Sequence, residues 1–126
     1  MITLAMKNAQ NANLANTSFL ESRITSVPLP DSTVDCIISN CVINLVPASD
    51  KPSVFREIFR LLKSGGRVAV SDILARKPLP ESISGDMALY VGCVAGASLV
   101  REYEGWLAEA GFKGIVFMLV IFEEVD

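Results

Sequence analysis

Apolar and polar positions follow their clearest pattern between Val34 and Asp72. Val34-Asp35-Cys36-Ile37-Ile38 is an apolar run that gives way to Ser39-Asn40-Cys41, as a buried strand does where it emerges at small polar residues. After a short loop, Val54, Phe55, Ile58, Phe59, Leu61 and Leu62 recur at helical spacing, with Arg56, Glu57, Arg60 and Lys63 on the opposite, water-facing side. Asp50 is placed to cap this helix, and Pro52 falls in its first turn, where a missing N–H costs little. Gly65-Gly66 is expected to end the helix, because glycine enters the left-handed region without steric penalty. Arg67-Val68-Ala69-Val70-Ser71 predicts a second strand that closes at Asp72. Strand, helix, glycine turn and strand make a right-handed crossover unit of a parallel sheet. Ligands of such sheets collect at the carboxyl ends of the strands, which here carry Asn40, Cys41 and Asp72.

The flanks repeat the α/β theme more weakly. Residues Met1 to Asn13 read as a helix, with Ile2, Leu4, Ala5, Met6, Ala9 and Ala12 as core contacts, and Thr17–Glu21 reads as a short strand. Ser26 to Ser32 is a loop, and Pro78 and Pro80 break a second one after Ile73. A helix is expected from Ser82 into Val94, followed by the small residues Ala95, Gly96, Ala97 and Ser98, which permit close packing or approach to a ligand. Ser98 to Ala110 is amphipathic, with Leu99, Tyr103, Trp106 and Leu107 inward and Gly111 as its stop; Ile115–Phe122 is expected to be the last strand.

Length and composition narrow the function classes. A chain of 126 residues holds one domain at most, and 51% hydrophobic residues is enough to give it a core. With a net charge of −3, no basic patch invites nucleic acid. The longest apolar run, Ile115–Phe122, is too short to cross a bilayer as a helix. The opening residues lack the basic region and continuous apolar core of a secretory signal. Three cysteines without regular spacing suggest a reducing, cytoplasmic setting rather than a disulfide framework. The chain has no histidine, which removes Ser-His-Asp and Cys-His catalysis and histidine metal ligation.

Three stretches, SNCVINLVP, FRLLKSGGRVAVSDI and ALYVGCVAGA, resemble the arsenite methyltransferases, a family of class I enzymes that use S-adenosylmethionine. The turn LKSGGR alone is common to class I methyltransferases; the cysteine-bearing SNCVINLVP and YVGC are the specific part. The resemblance runs to about Lys113, and residues 114–126 form a divergent tail. It implies an α/β fold corresponding to the later half of a Rossmann-like methyltransferase domain, with an incomplete parallel sheet. The family's glycine-rich cofactor loop has no counterpart before Thr17. In the family that loop gives close backbone approach, and an acidic residue grips the ribose. The expectation is therefore one partial methyltransferase domain over 1–126, impaired in S-adenosylmethionine binding. The Thr17–Glu21 strand is expected to fray for want of a neighbour, while the two central strands pair directly.

The resemblance also assigns residues. Cys41 and Cys93 match the family's arsenic-binding cysteines; trivalent arsenic is soft and prefers thiolate sulfur. Its lone pair then attacks the sulfonium methyl group in line, so positioning supplies much of the rate. Thiol reductants close the cycle. Ile24 and Thr25 match a loop lying against the adenine of the cofactor, and Asn40 stands at the site edge. Each residue also has a plainer reading: cysteines as small buried hydrophobes, Ile24-Thr25 as an ordinary turn, Asn40 as an amide bonding its own loop. Cys36 lies within the strand and reads as core, while Asp72 reads as a turn or helix cap. Three functions follow: methyl transfer to trivalent arsenic, a non-catalytic remnant that binds metalloid or a partner, or another small-molecule methyltransferase. The last leaves the two cysteine motifs unexplained.

Overall fold

The computed structural model describes residues 1–86 and 95–118. The elements, in order, are α1 (Ile2–Asn11), β1 (Val34–Asn40), a 3-10 turn (Ile43–Leu45), α2 (Lys51–Leu61), β2 (Leu62–Ser71), α3 (Glu81–Ser84) and α4 (Val100–Ala110). β1 and β2 pair in parallel, with Cys36 opposite Arg67 and Asn40 opposite Ser71. The expected crossover unit is therefore present, with α2 as its connection, and the two strands pair directly.

Its glycine turn works differently from the expectation. Helix α2 ends at Leu61, and Leu62 is already extended and paired with Val34. Between the Val34–Leu62 and Cys36–Arg67 pairs, residues 63–66 oppose the single residue Asp35, which makes a bulge. Gly65 takes φ +81° inside it, and a Cβ on Gly66 would come within 2.8 Å of the Lys63 carbonyl oxygen. The glycines let the strand bulge rather than stopping the helix. Asp50 occupies the N-cap position but makes no side-chain cap hydrogen bond.

The core lies between α2, α4 and one face of the strand pair. Ile43, Val54, Phe55, Ile58, Leu62 and Tyr103 are buried together, with Ile37, Val68, Val70, Trp106 and Leu107 packed around them. Phe55 is fully buried; it meets Tyr103 edge-on at 5.0 Å between ring centroids and stacks on Trp106 at 6.2 Å. Helix α4 stops as expected at Gly111, where φ is +113° and a Cβ would meet the Phe59 ring at 2.8 Å. The segment before α4 adds one isolated parallel bridge, Ala75 to Leu99.

Several expectations change. Thr17–Glu21 forms no strand, and neither does Ile115–Met118; the rest of that expected strand, to Phe122, lies outside the described residues. Among the apolar residues of α1, Ala9 is buried while Leu4 and Met6 are exposed. Cys36 is exposed rather than core, because no layer covers its face of β1 among the described residues. Glu57, expected in water, is only 8% exposed. The 27–31 loop folds over it: its carboxylate accepts the Val27 N–H at 2.6 Å and pairs with Arg60. Arg60 in turn donates to the carbonyls of Val27 and Leu29 and to Asp31. These bonds hold the Glu57 carboxyl below the usual carboxylate range, with Arg60 the main cause. The helix expected from Ser82 is seen as α3, one turn long, and its expected continuation through Val94 lies outside the described residues.

Candidate functional site

The sheet's carboxyl edge is built from the exits of β1 and β2. Asn40 is exposed at the end of β1, opposite Ser71. Cys41 follows, half-buried, with φ +57°. A non-glycine residue in the left-handed region costs about 1–2 kcal/mol, so it persists only where its surroundings fix it. Hydrogen bonds at this strand end help to do so. The Cys41 N–H donates to the Ser71 carbonyl at 2.8 Å. Asn44, fully buried three residues on, donates through Nδ2 to the Ile73 carbonyl at 2.7 Å. Each bond is worth about 1 kcal/mol net, comparable to the conformational cost they offset.

The exit of β2 reaches further. Asp72 Oδ2 accepts the Tyr103 hydroxyl at 2.6 Å, tying the strand end to α4. This overturns the reading of Asp72 as a cap. Burial pushes the Asp72 carboxyl above its ordinary range, against the opposing effects of Tyr103 and of the Lys51 charge. Burial, and then the bond to Asp72, raise the Tyr103 phenol. Asp72 Oδ1 is buried with no hydrogen-bond partner among the described residues.

Lys51 is a charge held away from water beside this strand end, 2% exposed at the first position of α2. Desolvation lowers its pKa, countered in part by Asp72 and Glu102, and the positive end of the helix dipole adds to the cost. Its ammonium donates to the Gly96 carbonyl and, at 2.7 Å, to Ser98 Oγ. Lys51 thereby draws the 95–98 segment onto α2. A cleft of about 250 Å³ lies there, bordered by Val46, Lys51, Ala95, Ser98, Glu102 and Trp106.

The remaining expected residues are placed as follows. Ile24 and Thr25 form the tip of a turn closed by the Ser26 N–H on the Arg23 carbonyl at 3.1 Å. Ile24 packs on the core and Thr25 is half-buried. Cys93 lies outside the described residues. Cys41 and Asn40 share one strand end. Among the described residues, no group of three or more Cys, Asp or Glu stands together as a metal site, and no helix is long and apolar enough to cross a membrane. Sequence reasoning missed Lys51, Glu57 and Asn44. Only Asn44 had a signal, standing inside the stretch SNCVINLVP.

Comparison with known proteins agrees with this geometry. Residues 1–111 match a family described as methyltransferase domain. The chain is 40% identical over 115 residues to an arsenite methyltransferase of Halobacterium salinarum, covering 91% of this chain and 29% of that protein. It is 41% identical over 108 residues to an arsenite methyltransferase of Aquipseudomonas alcaligenes, covering 83% of this chain and 31% of that protein. The chain thus spans about a third of the length of these curated relatives. A crystal structure of an arsenic(III) S-adenosylmethionine methyltransferase from Chlamydomonas reinhardtii superposes with a TM-score of 0.75 at 31% identity, over 86% of this chain and 39% of that one. The parallel pair with its crossover helix is thus part of a Rossmann-like α/β fold of class I methyltransferase type. The chain belongs to the methyltransferase domain family and within it is similar to the arsenite methyltransferases.

Proposed function

We propose that this chain carries the thiol-bearing part of an S-adenosylmethionine-dependent methyltransferase acting on trivalent arsenic, and that by itself it is impaired in methyl transfer. The observation that carries the reading is Cys41, a thiol-bearing residue held at φ +57° at the carboxyl end of a parallel strand. Strained backbone of this kind clusters at functional sites, and this strand end is where the fold places ligands. Cys41 and Cys93 are the proposed sulfur ligands of arsenic, since soft thiolates suit a soft centre. Trivalent arsenic species and thiol reductants are the proposed partners, in a reducing, cytoplasmic setting, with neither nucleic acid nor membrane among them. The proposed unit is a single partial methyltransferase domain over 1–126, family-like to about 113 and divergent over 114–126.

The residues proposed for the cofactor fit it in part. Ile24 offers an apolar wall anchored in the core, Thr25 beside it adds a hydroxyl, and Asn40 presents an exposed amide at the strand end. These suit the edge of an adenine ring and one polar contact. When bound, S-adenosylmethionine supplies an electrophilic methyl group; the chain's own task is to hold the acceptor still beside it.

A second reading is a non-catalytic remnant that binds metalloid through Cys41 and Cys93 or serves as a partner-binding fragment. Calorimetric titration with S-adenosylmethionine tests the impairment. The expected result is no useful affinity, and a low-micromolar dissociation constant would restore full cofactor binding. Mass spectrometry of the monomethylarsenic(III) adduct tests what both share. Signal should fall with Cys41→Ser and with Cys93→Ser and persist with Cys36→Ser. Equal retention in all three would refute the thiol assignment.

A further inference from the structure

Asn44 is fully buried, yet it is an amide, a group rarely hidden without a task. It sits in the 3-10 turn that follows Cys41, and its Nδ2 donates across 29 residues to the Ile73 carbonyl, just past the end of β2. The same stretch of β2 exit takes the Cys41 N–H on Ser71 and the Tyr103 hydroxyl on Asp72. Ser71, Asp72 and Ile73 thus form one anchor, tied to α4 on one side and to the Cys41 turn on the other. The backbone at Cys41 is in the left-handed region, where a cysteine does not rest unaided. Releasing the Asn44 tie removes one of the bonds that hold the turn carrying Cys41 against the β2 exit.

We infer that Asn44 is the positioning residue of Cys41: by clamping the 3-10 turn to the Ile73 carbonyl it holds the thiol in the orientation that captures arsenic. This rests on the proposed role of Cys41 as an arsenic ligand. Capture exchanges bonds in balance. Each thiol gives up its proton and forms an As–S bond while one As–OH bond breaks and one water leaves. The step needs no oxidant or reductant. What it needs is a sulfur held at a fixed place.

The test is Asn44→Asp in the full chain. The substitution keeps the shape, removes the donor and sets an acceptor against the Ile73 carbonyl. The probes are monomethylarsenic(III) and iodoacetamide, with adducts mapped by mass spectrometry. Cys36 is exposed on the same strand and serves as the internal reference. The expected result is a fall in arsenical retention at Cys41 of about tenfold, the scale of one buried hydrogen bond lost. Alkylation of the half-buried Cys41 should rise several-fold as its turn loosens, and alkylation of Cys36 should stay constant. Those opposite directions at one sulfur are not what a purely structural residue gives. Wild-type arsenical retention in Asn44→Asp, with retention abolished by Cys41→Ser, would overturn the role of Asn44 alone. Retention unaffected by Cys41→Ser would overturn the arsenic reading and this inference with it. Should Asn44→Asp not unfold cooperatively, hydrogen exchange in the wild type decides: a slowly exchanging Asn44 side-chain amide and Cys41 N–H support the clamp, and exchange as fast as an exposed amide overturns it.

Discussion

Ile37 and Ile38 are neighbours on β1 and differ sharply in surroundings. Ile37 packs on the core beneath α2, whereas Ile38 is 79% exposed. The division extends along the whole ladder. Val68 and Val70 share the covered face with Ile37; Cys36, Asn40, Arg67, Ala69 and Ser71 share the exposed one with Ile38. Parallel sheets are ordinarily covered on both faces, which is why their strands read as continuous apolar runs. Val34-Asp35-Cys36-Ile37-Ile38 carries that signature, but among the described residues it is satisfied on one side only. An apolar residue in a parallel strand therefore announces the fold type and leaves open what lies over it.

The largest expected effect tests the covered side. Phe55→Ala removes the ring that joins Tyr103 and Trp106 and should cost about 3–5 kcal/mol, read as a shift in the denaturant midpoint. Ile38→Ala should stay within about 0.5 kcal/mol. A cost at Ile38 approaching that at Phe55 would show that the exposed face is covered in solution. The next effect is on association. Bare strand faces and edges template contact with other chains, so size-exclusion chromatography should show self-association that Ile38→Lys reduces. A monodisperse monomer with a sharp unfolding transition at about 45–65 °C would break the contrast between the two faces.

The third prediction is a pH effect on the covered side. Glu57 has a folded pKa below its ordinary value of 4.5. Such a group adds stability above its unfolded pKa, and that stability is lost as pH falls through the folded value. Glu57→Gln should lower stability at neutral pH and flatten the acid limb below about pH 4.5. An unchanged limb would show that the 27–31 loop is held by other means. The smallest effect contrasts the two cysteines of the strand. Cys41→Gly relieves a left-handed backbone and should change stability by at most about 1 kcal/mol, in the favourable direction. Cys36→Gly, in extended backbone, should lose about 0.5–1 kcal/mol. Equal losses at both positions would mean that the Cys41 backbone is not strained.

The central unit was legible because its signals are local. Periodicity gives β1, α2 and α4 to within a few residues and the end of β2, whose start lies five residues before the expected Arg67, and Gly111 ends its helix as expected. What could not be read depends on contacts across long stretches of chain. Glu57 looks like a solvent residue until the 27–31 loop closes over it. Lys51 looks like any first-turn lysine until Gly96 and Ser98 arrive. Cys36 looked like core because strand pattern cannot say which face is covered. At the site, SNCVINLVP pointed to Cys41, but nothing in the letters gives its positive φ or the reach of Asn44 to Ile73. The glycine pair reads as a backbone necessity without naming its device, since a helix stop and a bulge ask the same freedom of the same residue.

Trp106 is the chain's single tryptophan. It stacks on Phe55 and also borders the cleft beside Lys51 and Glu102. The molecule thus has a single indole emitter, excitable apart from its tyrosines, seated beside its core and its cleft. Loss of the core should shift the emission to the red, and a guest that excludes water from the cleft should shift it to the blue. One cuvette measurement can then separate unfolding from occupancy without any label.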